Sequence, residues 1–217
     1  MNRRVQQKAD TRARLLDAAA ARLRAGGPEG TGVAEVMADA GLTHGGFYGH
    51  FDGKAALLEA AFEHAMSHSR EAFFGGLEGV HGEDLLRWLA GRYLSTRHRD
   101  RPEDGCALAS LVGDAARGED GIAGRFEAEF GRSLARLSAG LDEATDADEP
   151  SDEAIAFLAL CIGGLLTARA VQDPALSERI MRACRQLAPR LAAADTRGEA
   201  SNNNGVSRRT EEDRNEL

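Results

Sequence analysis

The stretch GLTHGGFYGHFDGKAALLEAAF, residues 41–62, gathers Thr43, His44, Tyr48, His50 and Lys54 close together in the chain. Their hydroxyls, imidazoles and ammonium are suited to phosphate oxygens. Leu42, Phe47 and Phe51 alternate with them, at positions that let a short helix grip its neighbours. Burial in a core is the expected role of Phe47 and Phe51. A second chemical position is Cys106, which follows Asp104 and Gly105 where a helix is predicted to begin. The positive end of a helix dipole stabilises a thiolate there, with His98 and Arg101 near in sequence and Asp104 opposing. Free cysteine also serves as a small buried hydrophobe, and both readings stay open. His64 and His68 stand at i and i+4, a spacing that can hold zinc. They lie off their helix's apolar stripe with no HExxH glutamate, so a solvated pair is expected and no metal site. The chain has no GxSxG elbow, no P-loop and no GxGxxG after a strand. No enzyme, catalytic residue or cofactor is expected.

The elements that must position these groups read as helices throughout. Ala, Leu, Glu and Arg abound, β-branched and aromatic residues are sparse, and no internal repeat is visible, so an all-α fold is predicted. A first helix carries Leu15, Leu16, Ala19, Ala20 and Leu23 and stops at Gly26-Gly27-Pro28. Val33, Val36, Met37 and Ala40 mark a short second helix ended by Gly41, and Thr43 is placed to cap a third over His44 to His50. Two short helices joined by a tight glycine turn make a helix-turn-helix. Asp52 is the expected cap of a longer helix bearing Leu57, Leu58, Ala61, Phe62, Ala65 and Met66. Further stripes follow at Leu85 to Tyr93, Leu108 to Ala115, Ile122 to Leu141, Ile155 to Leu166 and Leu176 to Leu191, about nine helices in all. Arg97 to Asp104 reads as a loop, as does the acidic stretch from Ala144 to Pro150. Ser151 and Asp173 read as helix caps, the latter with Pro174 behind it. The organisation expected is a DNA-binding domain at 1–52, a helical effector-binding and dimerisation domain at 53–194, and a disordered polar tail at 195–217.

The formal net charge is −8, yet residues 1–24 hold seven basic side chains against Asp10 and Asp17, a local balance of +5 that leaves −13 for the rest. Such an end on an acidic body attracts phosphate to one face, although a solvated basic helix face has the same composition. Three cysteines with no CxxC pair fit a reducing cytoplasm. No secretory signal is read at the N-terminus, and no apolar run is expected to reach the roughly 20 residues of a bilayer span.

Gly41, Leu42, Thr43, Gly45, Phe47, Tyr48, His50, Phe51, Lys54, Leu57 and Leu58 together resemble the signature of the TetR family of one-component transcription regulators. The detailed resemblance covers about residues 8–62. It implies backbone phosphate contacts from Thr43, Tyr48, His50 and Lys54, with Gly45 in the same interface and His44 at a position that often reads bases. It also implies a homodimer through the last two long helices, acting on a palindromic operator as a repressor released by a small-molecule effector. Effectors bind among the middle helices in that family, which makes Trp88, Tyr93, Leu108, Phe126, Phe130, Phe157 and Leu165 pocket candidates, although large apolar residues of this kind are more often plain core. The sequence departs from the pattern at Gly32, where many members place a Ser or Thr cap. Gly45, Gly46 and Gly49 fall within the recognition helix at roughly 1 kcal/mol each relative to alanine, so that helix is expected to be marginal alone and to tighten on DNA.

GCALASLVGDAAR, residues 105–117, is similar to the branch containing the electrophile-sensing N-ethylmaleimide repressor, whose sensor cysteine occupies this Gly-Cys position. A thiol-based regulator acting through Cys106 is the alternative this implies. A helical interaction protein without DNA binding would leave the basic N-terminus and the Thr43 to Lys54 pattern as coincidence.

Overall fold

The computed structural model describes residues 3–118, 122–141 and 149–193, and among these residues every regular element is helical. The nine α-helices are α1 (Arg3–Gly26), α2 (Val33–Asp39), α3 (Lys54–Phe74), α4 (Gly82–Tyr93), α5 (Thr96–Asp100), α6 (Ala107–Arg117), α7 (Ile122–Leu141), α8 (Asp152–Ala170) and α9 (Pro174–Leu187). Short 3-10 segments occupy His44–Gly49, Pro102–Asp104 and Ala188–Ala193. The tail read at 195–217 and most of the acidic loop lie outside the described residues.

α1 buries Leu15, Ala19, Ala20 and Leu23, the predicted stripe, largely against α3, whose Leu57, Leu58, Ala61, Phe62, Ala65 and Met66 face inward. It ends where expected, and Gly27 takes the left-handed conformation at φ 67° that a helix terminus favours. α2 stops at Ala40, and Gly41, at φ 62°, reverses the chain while Leu42 N donates to Met37 O at 2.9 Å. The guanidinium of Arg14 on α1 donates to the Ala40 and Gly41 carbonyls, so one arginine caps the turn from outside. Arg22 pairs with Asp39, and Arg24 Nε donates to Glu103 O at 2.6 Å. Three arginines of the basic excess are therefore internal clamps.

Several boundaries differ from expectation. Gly53, not Asp52, is the N-cap of α3, and it makes no side-chain bond. Arg97 to Asp104 is α5 plus a 3-10 turn rather than a loop, because Ser95 caps α5 by accepting from His98 N and the buried His98 ring holds both pieces to the core. Ser151 and Asp173 cap as predicted, accepting from Ala154 N and Ala175 N.

α8 needs a correction: its 19 residues, at mean hydropathy 1.6, are long and apolar enough by composition to match a membrane span. Its inner side, Phe157, Leu158, Cys161, Ile162 and Leu165, is packed into the same apolar cluster as α4 and α6, as in the core helix of a folded body. The outer side leaves Ile155, Ala159 and Gly163 exposed. On α9 the inward groups are Ser177 and Met181, while Leu176 and Leu187 are exposed.

Candidate nucleic-acid interface and interior cavity

The tip of the head is the 3-10 segment His44–Gly49, drawn tighter than the predicted α-helix. Gly46 N donates to Thr43 O at 3.2 Å, an i to i+3 bond, and only at the end does Phe51 N reach Phe47 O at 3.1 Å in α-helical register. Glycine weakens helix propagation, so a glycine-rich run of this length settles into the shorter-range pattern. Phe47 and Phe51 anchor it, being 1% and 4% exposed with ring centroids 5.8 Å apart. Both are core aromatics, as expected.

Around this anchor the candidate phosphate ligands point outward. Tyr48 is 73% exposed and sits edge-on to Phe47. Lys54, in the first turn of α3, is exposed, and so is Thr43, whose side chain makes no capping bond to the segment. Side-chain positions of His44 and the α-carbon surroundings of Gly45 lie outside what is described. His50 is less open. Its carbonyl accepts from Arg12 Nη1 at 2.7 Å, while the Arg12 guanidinium lies 4.4 Å above the Phe51 ring. Partial burial, then the cations Lys8 and Arg12, hold the imidazole below its ordinary pKa. His50 Nδ1 is buried without a hydrogen-bond partner among the described residues. Arg4, Gln7, Lys8 and Thr11 of α1 form a groove with Gly49 and His50. The sequence reading missed this wall of α1, which only the packing of α1 against the tip brings beside the motif.

A small cavity of about 30 Å³ lies in the body between α3, α4, α6, α7 and α8. Of the pocket candidates, Tyr93, Leu108 and Phe157 line it. Leu165 is fully buried core beside it, and Phe126 and Phe130 stack on one another at 5.8 Å along α7. Trp88 is corrected: it stands 41% exposed on α4 under the Arg92 guanidinium, because Leu85, Leu86 and Leu89 take that helix's inner face. Met66, Ser69, Arg70, Phe73 and Phe74 of α3 supply a wall that sequence reasoning did not assign. Arg70 pairs with Glu129, itself only 4% exposed. The Tyr93 hydroxyl is buried with no hydrogen-bond partner among the described residues.

Cys106 also lines this cavity, 5% exposed, at the N-cap of α6. Its neighbour is the predicted one: His98 Nδ1 bonds to Tyr93 O at 2.7 Å, and His98 Nε2 accepts from Cys106 N at 2.9 Å. These two bonds require the neutral ring with its proton on Nδ1. Burial depresses His98 to about 4. Of the two readings left open, the thiol fits the buried one, since burial pushes Cys106 above its ordinary pKa and outweighs the lowering by the Ala109 amide, the Tyr93 hydroxyl and the Leu108 amide. Cys161 is pushed up by the same cause, and so, less deeply buried, is Cys184.

Comparison with known proteins agrees with this architecture. Residues 15–61 match the family of bacterial regulatory proteins named tetR. A TetR transcriptional regulator from Chloroflexus aurantiacus superposes with TM-score 0.68 at 24% identity, over 84% of this chain and 96% of that one. A TetR-family regulator from Cytophaga hutchinsonii gives 0.62 at 21% identity, over 82% and 92%. The reduced form of Escherichia coli NemR gives 0.65 at 22% identity, over 82% and 95%. No curated protein matches the sequence. Residues 15–61 are thus similar to the tetR family of bacterial regulatory proteins, and the chain has the fold of solved TetR regulators.

Proposed function

We propose that the protein is a TetR-type transcription regulator that represses by binding a palindromic operator as a homodimer and lets go when a small molecule fills its interior cavity. The observation that carries this reading is the head itself. Tyr48, Lys54 and Thr43 are exposed around a tip whose Phe47 and Phe51 are buried, an arrangement that costs apolar anchoring and leaves polar groups for a partner. Thr43, Tyr48, His50 and Lys54 contact backbone phosphates, His44 and Gly45 approach the base edges, and Arg4 and Lys8 on α1 flank them. With so few long side chains at the tip, part of the specificity comes from DNA shape.

A symmetric pair of heads needs a symmetric interface, and the outer faces of α8 and α9 supply it. Ile155, Ala159 and Gly163 on one helix, with Leu176 and Leu187 on the other, are exposed apolar positions at helical spacing. Gly164, in contrast, serves the protomer: a Cβ there would stand 2.7 Å from Cys184 Sγ. In this reading the head spans 1–52 and the body 53–194, and the protein works in the cytoplasm on chromosomal DNA.

The enclosed free space of the cavity is only about 30 Å³, about one water, far below the roughly 300–1,000 Å³ of small-molecule sites, so an effector must part its walls as it enters. The cavity wall is apolar apart from Ser69, Arg70, Tyr93 and Ser133, which favours a largely apolar effector. The burial of Cys106 favours this over thiol sensing. Selecting fragments of the host genome with the purified full-length protein tests the reading, followed by release of those fragments with small molecules. Retention that is sequence-selective and weakens steeply with salt supports it. Failure to retain any fragment refutes it.

A further inference from the structure

We propose that Asp17, His64 and His68 form a site for a divalent transition-metal ion that clasps α1 to α3. The two histidines stand one turn apart on the solvent side of α3, away from its buried stripe. Their rings meet edge to face with centroids 4.5 Å apart. Asp17 arrives from α1, and its Oδ1 lies 2.7 Å from His64 Nε2. One donor atom from each of the three residues lies within 4.8 Å of the others. Sequence spacing supplied only the histidine pair. The third ligand comes from packing, forty-seven positions earlier in the chain.

The chemistry of the donors selects the ion. Two imidazoles and one carboxylate suit zinc, nickel, cobalt or copper, whereas magnesium and calcium prefer an all-oxygen set. Donors to one such ion at about 2.0–2.1 Å stand roughly 3–3.4 Å apart in tetrahedral geometry. Asp17 and His64 are already nearer than that. The remaining closure falls on side chains that are free to turn, because Asp17 and His68 are exposed and His64 is partly so. Neighbouring cations along α1 are engaged elsewhere: Arg14 with the Ala40 and Gly41 carbonyls, Arg22 with Asp39 and Arg24 with the Glu103 carbonyl. Positions left open on the ion face solvent and take water. In binding through Nε2, the ion takes the place of the proton between His64 Nε2 and Asp17 Oδ1, and the neutral ring then carries its proton on Nδ1.

The test uses full-length, tag-free protein stripped with chelator and titrated with Zn2+ by calorimetry and with Co2+ by visible absorption. The expected result is one ion per protomer. Removing an outer-shell partner of a metal costs about 10- to 100-fold in affinity, and loss of a direct ligand costs at least that, so His64→Gln and His68→Gln should each weaken binding by about 10-fold or more. His68→Gln leaves the Asp17–His64 bond untouched and serves as the variant that keeps its fold, checked by the helical circular dichroism of both metal-free proteins. Zn2+ should also raise the Tm of the wild type and leave that of the His68→Gln variant in place. Absence of Zn2+ binding, or an affinity unchanged in both variants, overturns the proposal. Neither outcome depends on whether the protein binds DNA.

Discussion

The tightest physical statement about the head concerns Gly46 and Gly49. Neither takes a positive φ, and an added Cβ at either position meets no heavy atom within 4 Å. Alanine therefore fits both sites without strain and removes backbone freedom that the chain otherwise loses on ordering. At about 0.5–1 kcal/mol for each replacement, Gly46→Ala with Gly49→Ala stabilises the segment by about 1–2 kcal/mol. A shift of 1.4 kcal/mol is about tenfold in an equilibrium constant, so the local opening constant falls by about 5- to 30-fold. Amide hydrogen exchange in the free protein reads this directly at His50 and Phe51, whose amides donate to Phe47 O at 2.9 and 3.1 Å. The wild-type amides should exchange fast when free and slow on operator DNA, and the double variant should be slow in both. Equal protection in variant and wild type without DNA would refute the reasoning. It would mean that burial of Phe47 and Phe51 already holds the tip, which then opens only with the whole head.

Four further outcomes are expected. Lys54→Gln removes one phosphate contact from each of two heads, so the slope of log affinity against log salt should flatten by about 1.8; an unchanged slope takes Lys54 out of the interface. His98 is depressed by burial to about 4, so its contribution is complete above the ordinary imidazole value of 6.5 and drains away as pH falls from there toward 4, by about 3 kcal/mol in full. Urea unfolding at pH 5 and pH 7 should show this loss in wild type and less of it in His98→Gln, and parallel losses would disprove the assignment. Ile155→Asp combined with Leu187→Asp should yield monomers by analytical ultracentrifugation that no longer hold operator DNA, whereas a persistent dimer would move the interface elsewhere. Cys106 should react with N-ethylmaleimide at least about tenfold slower in the folded protein than in denaturant, and Cys106→Ser should keep effector release; fast labelling would restore the thiol-sensing alternative.

What could be read from sequence was set by how local each determinant is. The stripes of α1 and α3 repeat at helical spacing, and their burial followed that spacing except at Leu16, which is only half-buried. The caps at Ser151 and Asp173 depend on a side chain reaching its own helix, and both formed. The failures involve partners far along the chain. Arg97 to Asp104 carries no apolar period, and its helix exists because His98 bonds across to the Cys106 amide and Arg169 donates to the His98 and Arg99 carbonyls. Cys106 was placed correctly at a helix start, yet the sign of its pKa shift was decided by burial under other helices. Trp88 is large and apolar and was assigned inward, but α4 has more apolar residues than inner positions, and the one beside Arg92 went out. The candidate phosphate ligands Tyr48 and Lys54 were legible because the motif fixes their type, while the wall of α1 beside them has no motif of its own.

The coupling between cavity and head follows from a single element. α3 starts at Lys54, a candidate phosphate ligand, and its other end lines the cavity through Met66, Ser69, Arg70 and Phe73. Its 21 residues make a rod about 31 Å long at 1.5 Å per residue. A tilt of only about 5° about the cavity end would carry Lys54 through about 3 Å, enough to break a phosphate hydrogen bond on each half-site. α1 cannot stay behind, because its buried face is packed along α3 and Arg14 ties it to the turn that holds the tip. Among the contacts that resist the motion, Arg24 to the Glu103 carbonyl fastens the head to the segment leading into Cys106 and the cavity. A ligand that tilts α3 must therefore bind the DNA-incompetent arrangement more tightly, by about 5.5 kcal/mol for a shift from 1:99 to 99:1. Arg24→Ala removes that fastening without touching cavity or tip, so it should lower the effector concentration needed for release while leaving the cavity walls intact. An unchanged release midpoint in titrations of the variant–operator complex would show that the head is not held through this contact.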